Sequence, residues 1–116
     1  MKKYDYINIE NLTIDELKNI LEKETGYEFE KRLWVHEREA LGLKGVKKGD
    51  HIVVGFSRYR WGERTLSFSR ENRSQGGLNG MSTNAGLRNV ITWISKAEKY
   101  FGYKIPKKKP KQLTLF

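Results

Sequence analysis

Ile14, Leu17, Ile20 and Leu21 recur at the spacing of one helical face, charged residues fill the other, and a helix over about 14–25 is predicted. Thr13 and Glu16 form the pattern of a capping box, Leu12 and Leu17 that of a hydrophobic staple, and Gly26 stands where a helix end favours a left-handed residue. From Tyr27 to His36 the apolar residues Tyr27, Phe29, Leu33 and Val35 suit a strand interrupted by Lys31. Phe29, Leu33 and Leu41 also fit a helix; the strand is favoured. Leu41–Asp50 carries three glycines and reads as a loop leading into a strand.

Strict alternation follows. His51–Arg60 places Ile52, Val54 and Phe56 on one face and Val53, Ser57 and Tyr59 on the other, and Arg64–Arg70 alternates Leu66 and Phe68 with Thr65, Ser67 and Ser69. These are two strands of a hairpin turning at Trp61-Gly62-Glu63. Residues 71–83 are rich in Gly, Asn and Ser and read as a mobile surface loop. Leu87, Val90, Ile91, Ile94, Ala97 and Phe101 then form a helical stripe, predicting one long helix over about 84–101, capped by Ser82 or Thr83 and ended by Gly102. Trp34 and Trp93 fall on core stripes and read as packing residues. Past Tyr103, KIPKKKPK has two prolines and five lysines and reads as an extended tether.

The pattern defines an α+β fold: an N-terminal helix, a small antiparallel sheet with a hairpin, a long C-terminal helix, and a disordered basic tail. With 116 residues there is room for one domain, assigned to 1–103, followed by a tail at 104–116. The absence of cysteine excludes disulfide frameworks, thiolate metal sites and cysteine nucleophiles. Together with the lack of a long apolar run or a signal-peptide core, it points to a cytoplasmic protein without a membrane partner.

Charge sharpens the picture. Residues 1–50 hold 10 Lys/Arg against 11 Asp/Glu, whereas residues 51–116 hold 13 against 3, so all of the net +9 resides in the second part. Such a one-sided excess is the footprint of a polyanion partner. The hairpin interleaves Arg58, Arg60, Arg64 and Arg70 with Tyr59 and Trp61: guanidinium groups for phosphates and aromatic faces for unstacked bases. With Arg73 and Arg88 flanking the glycine-rich loop and Lys107, Lys108 and Lys109 in the tail, these are the candidate nucleic-acid-binding residues, DNA being the favoured partner. The competing reading has Tyr59 and Trp61 half-buried and the arginines paired with acids such as Glu28 and Glu30. The segment Ser74–Gly80 lacks the Gly-Lys-Ser/Thr ending of a phosphate-binding loop.

The last five residues, Gln112-Leu113-Thr114-Leu115-Phe116, put three large apolar side chains after a lysine linker with no element to bury them. The peptide resembles the bacterial sliding-clamp-binding motif Gln-Leu-Ser/Asp-Leu-Phe. The resemblance covers these five residues alone, with Thr114 replacing Ser or Asp. It implies that Gln112 hydrogen-bonds in one subsite, Leu113 orients the peptide, and Leu115 and Phe116 fill a hydrophobic pocket of the clamp.

The favoured function is a small non-catalytic DNA-binding accessory protein recruited to the replication clamp, of a size that suits a bacteriophage or mobile element. Rival readings are an inhibitor or modulator that occupies the clamp pocket or finds a host immunity complex, and a small metal-dependent nuclease using His36, Glu37, Glu39, Asp50 or His51. The nuclease reading finds no recognisable spacing, so no catalytic residue, metal ligand or cofactor is assigned. The basic run in PKKKPK also fits a nuclear import signal, which the adjacent QLTLF makes less attractive.

Overall fold

The computed structural model describes residues 9–33, 39–58 and 64–107. Helix α1 (Ile14–Thr25) begins as its sequence predicts. The Thr13 hydroxyl accepts the Glu16 N–H at 3.1 Å while the Glu16 carboxylate accepts the Thr13 N–H at 2.9 Å, satisfying two of the orphan donors of a helix start. It ends at Gly26, whose φ of 80° lets its N–H return to the Glu22 carbonyl.

Five strands follow: β1 (Phe29–Leu33), β2 (Glu39–Leu43), β3 (His51–Arg58), β4 (Arg64–Asn72) and β5 (Leu78–Ala85). They form one antiparallel sheet in the order β1-β2-β3-β4-β5, each strand beside its neighbour in sequence. Period-two alternation sets the faces. Register aligns Leu41 with Val54 and Val54 with Phe68, and Phe56 with Leu66, so these residues share the face that the helices cover. Leu17 and Leu21 of α1, and Val90 and Ile94 of α2 (Leu87–Ser95), are fully buried in that same cluster. The opposite face carries Ala40, Gly42, Val53, Gly55, Ser67 and Ser69. Arg32 lies across it, so close that a Cβ at Gly42 would come within 2.3 Å of the guanidinium.

The α+β architecture and the β3–β4 hairpin agree with the sequence pattern, but three boundaries differ. Residues 39–43, split by the sequence reading between an uncertain stretch and a loop, are strand β2; only the glycine turn 44–50 is loop. Most of the expected loop 71–83 is sheet: β4 continues to Asn72, a single 3-10 turn spans Arg73–Gln75, and β5 returns along β4. Strand β5 lies at the sheet edge with most of its side chains exposed, so backbone pairing holds it without apolar alternation. The expected long helix is also divided. α2 starts after Gly86 rather than at Ser82 or Thr83 and stops at Ser95, and α3 (Ala97–Phe101) restarts beyond Lys96, whose N–H bonds to the Trp93 carbonyl in a tightened turn. The stripe Leu87, Val90, Ile94, Ala97 and Phe101 is buried throughout, because the break preserves its direction.

The domain also runs beyond Tyr103. Ile105 is 3% exposed, its N–H bonds to the Glu98 carboxylate at 2.8 Å, and Lys107 forms an antiparallel bridge with Tyr27. Residues 104–107 of the expected tether are thus part of the packed structure. Among the described residues, no helix is long and apolar enough to cross a membrane.

Candidate nucleic-acid interface

Three segments distant in sequence meet at one end of the sheet: the turn 44–50 between β2 and β3, the turn 73–77 between β4 and β5, and the stretch 103–107 after α3. Buried polar side chains tie them together. Asp50, 6% exposed, accepts the Ser74 N–H at 2.9 Å, the Ser74 hydroxyl at 2.7 Å and the Tyr103 hydroxyl at 2.5 Å. Tyr103 in turn accepts the Lys47 N–H at 2.9 Å. Asn72, fully buried, accepts from Ser74 and Gln75 and donates to the Tyr100 carbonyl at 2.7 Å. Each buried polar atom in this knot thereby gains the partner that burial demands.

The knot has defined protonation. Burial pushes the Asp50 carboxyl up, but the hydrogen bonds from Tyr103, Ser74 and the Arg73 backbone outweigh it and hold the carboxyl below its ordinary value. Burial, then the hydrogen bond to Asp50, push the Tyr103 phenol up to about 12. At neutral pH the pair is a carboxylate and a phenol donor.

Around this knot stand six cations: Lys44, Lys47, Lys48, Arg73, Lys104 and Lys107. All are exposed. Lys44 lies 3.8 Å from Glu28, and Arg73 pairs with Glu71. Lys47 sits over the Tyr103 ring at 4.5 Å and Lys107 over the Tyr27 ring at 5.5 Å. Among the described residues no carboxylate pairs with Lys47, Lys48, Lys104 or Lys107. Flexible cations around a rigid knot make a surface able to neutralise several phosphates without reading sequence.

The structure does not gather the sequence-nominated residues into one patch. Arg58 and Arg64 face each other in register at the far end of the β3–β4 hairpin, and their side chains, with Tyr59, Arg60 and Trp61, lie outside the described residues. Arg88 is exposed in the first turn of α2, towards that same far end. Arg70 is six residues along β4 from Arg64, about 20 Å in an extended strand, and its guanidinium lies 4.2 Å from the Tyr100 ring centroid. It is not part of an arginine cluster at the hairpin tip. Arg73 and Lys107 do belong to the polybasic end. Lys108, Lys109, Gln112, Leu113, Leu115 and Phe116 lie outside the described residues. Trp93 is half-buried against Phe68, ring centroids 5.1 Å apart, as its packing role predicts; Trp34 lies outside the described residues. Among the described residues Glu28 and Glu30 pair with Lys44 and Arg32 of the first half of the chain itself, not with an arginine of the hairpin.

Sequence reasoning passed over Lys44, Lys47, Lys48 and Lys104, and the Asp50–Ser74–Tyr103 knot. The pair Lys47-Lys48 inside a glycine turn was a visible signal; its meeting with Arg73 and the 103–107 stretch was not. For the nuclease reading, His36 and Glu37 lie outside the described residues, and Asp50 spends both carboxylate oxygens on Ser74 and Tyr103. His51 contacts Ser69 at 3.3 Å and Glu71 at 3.7 Å. Among the described residues no three His, Cys, Asp or Glu side chains cluster as metal ligands.

Fold and surface together define a small α+β protein: a five-stranded antiparallel meander under helices, with a polybasic end. No protein-family model, curated protein or solved structure matches the chain.

Proposed function

We propose that this protein is a small, non-catalytic DNA-binding accessory factor, acting in the cytoplasm and brought to a bacterial replication clamp by Gln112-Leu113-Thr114-Leu115-Phe116. The observation that carries the DNA-binding part is the polybasic end. Six cations from three segments surround one knot, and the sequence continues directly from it into Lys108, Lys109 and Lys111. The antiparallel bridge of Lys107 with Tyr27 anchors the last described residue ahead of that run. A clamp-binding peptide beyond Lys111 and a phosphate-binding surface ahead of it suit DNA passing through the clamp ring. Two modest contacts joined by a short linker reinforce each other through effective concentration.

Anisotropy with labelled DNA and with a bacterial sliding clamp tests both halves. DNA affinity is expected to fall steeply with salt, and Lys47→Ala/Lys48→Ala/Lys104→Ala to reduce the log–log slope by about 2, since each phosphate contact contributes roughly 0.7–0.9. Clamp binding is expected to vanish in Leu115→Ala/Phe116→Ala. No DNA binding at low salt overturns the first half; clamp binding indifferent to the double variant overturns the second.

A further inference from the structure

Beside the polybasic end, on the helix-covered side of the sheet, β4, β5 and α2 leave an open groove of about 260 Å³ lined by Phe68, Arg70, Gly80, Met81, Ser82 and Trp93. Its walls are unusual for a surface cleft. The half-buried indole of Trp93 is backed by the buried ring of Phe68, and the edge strand β5 forms the lip at 80–82, with the Met81 side chain turned to the opposite face beside Ser69. The single charge is Arg70, half-buried and without a carboxylate partner among the described residues. Tyr100 supports its guanidinium from one side at 4.2 Å, and the Tyr100 hydroxyl is tied to the Leu78 carbonyl. The strand opposite carries Gly80, where a Cβ would come within 2.7 Å of the Arg70 Nε. The lack of a side chain at residue 80 is what lets the arginine lie across β5.

We infer that this groove takes one unstacked base of a single DNA strand, the base against Trp93 and a flanking phosphate on Arg70. The inference rests on the DNA-binding reading and names the state of the DNA bound. The volume falls below the usual range for drug-sized ligands, about 300–1,000 Å³, and fits one planar group. A wall of indole backed by a phenyl ring favours a π face without regard to base identity. The unpaired guanidinium calls for an anion, preferably one with paired oxygens. A nucleotide offers both at adjacent positions. Stacked duplex bases present only their edges and cannot enter, so the groove selects single strands. Arg70 is three residues before Arg73, so a strand leaving the groove passes onto the polybasic end.

The test compares binding of a thymidine 12-mer with that of an abasic 12-mer carrying the same phosphates, on the full-length protein and its variants. Wild type is expected to prefer the base-bearing strand by about 5- to 100-fold. Trp93→Leu should erase most of that preference and leave abasic-strand affinity within about threefold, whereas Gly80→Ala, which moves Arg70 off the flanking phosphate, should weaken both strands. Gly80→Ala displaces the flexible end of Arg70, so unchanged affinity of both strands in this variant overturns the groove even if Trp93→Leu fails to fold. Equal binding of the two strands by wild type, or a preference that survives in folded Trp93→Leu, overturns the groove while leaving DNA binding intact. Failure of both strands to bind at low salt overturns the DNA-binding reading, and the groove's role with it.

Discussion

Asp50 shows how much a single buried carboxylate can organise. Three donors from two other segments converge on its oxygens, and an amide in its place offers only one acceptor atom. Asp50→Asn is therefore expected to lower stability by about 1–3 kcal/mol, read as a shift of the urea midpoint at pH 7. The pH dependence has a definite sign. The folded carboxyl titrates below its ordinary value of 3.8, so its stabilisation is complete above that pH and is lost as pH falls through the folded value. Tyr103 acts in the opposite sense: its stabilisation is complete below the ordinary phenol value of 10.0 and is lost as pH rises towards about 12. Urea midpoints across pH should fall at both extremes in wild type, and the acid limb should be shallower in Asp50→Asn. An unchanged acid limb would show that the knot is not held by the carboxylate. At this scale the sequence was partly legible. Asp50 follows a turn glycine, an ordinary place for Asp, and nothing local revealed that Ser74 and Tyr103, 24 and 53 residues away, would be its donors.

The elements divide by how they are held. α1, β3 and β4 bury a periodic apolar face, so their periodicity announced them, and the capping box of α1 was readable to the residue. β5 is held by the ladder to β4 and exposes most of its side chains, so its composition resembles that of a loop. Hydrogen exchange separates the two descriptions. Amides of 78–85 that point at β4 are expected to be protected, alternating with rapidly exchanging ones at the open edge; uniformly fast exchange would restore the loop. The division of the last helix at Lys96 was hidden for the converse reason. The apolar stripe runs unbroken from Leu87 to Phe101, and only the backbone turn at 95–97 interrupts it.

For the whole molecule the consequence lies in where the fold stops. Ile105, directly before Pro106 in lysine-rich sequence, seats in the core cluster, and the Glu98 carboxylate takes its N–H. Ile105→Ala is expected to destabilise the protein by about 2–4 kcal/mol in urea denaturation, a loss no surface tether could produce. The same anchor fixes the point from which the lysine run departs, joining its charge to that of the 44–50 turn.

The sequence by itself determined the α+β class, α1 with both of its ends, the β3–β4 hairpin and its inward face, and the concentration of positive charge in the second part. Each is a local periodicity or a sum over the chain, and such quantities survive without knowledge of which segments touch. Only the tertiary structure decided the five-stranded meander, the meeting of the three turns around Asp50, and the separation of Arg70 from the hairpin tip into a groove with Trp93. Those features depend on pairings between distant residues, where a buried polar atom or an edge strand finds its partner through the fold and leaves no period in the chain.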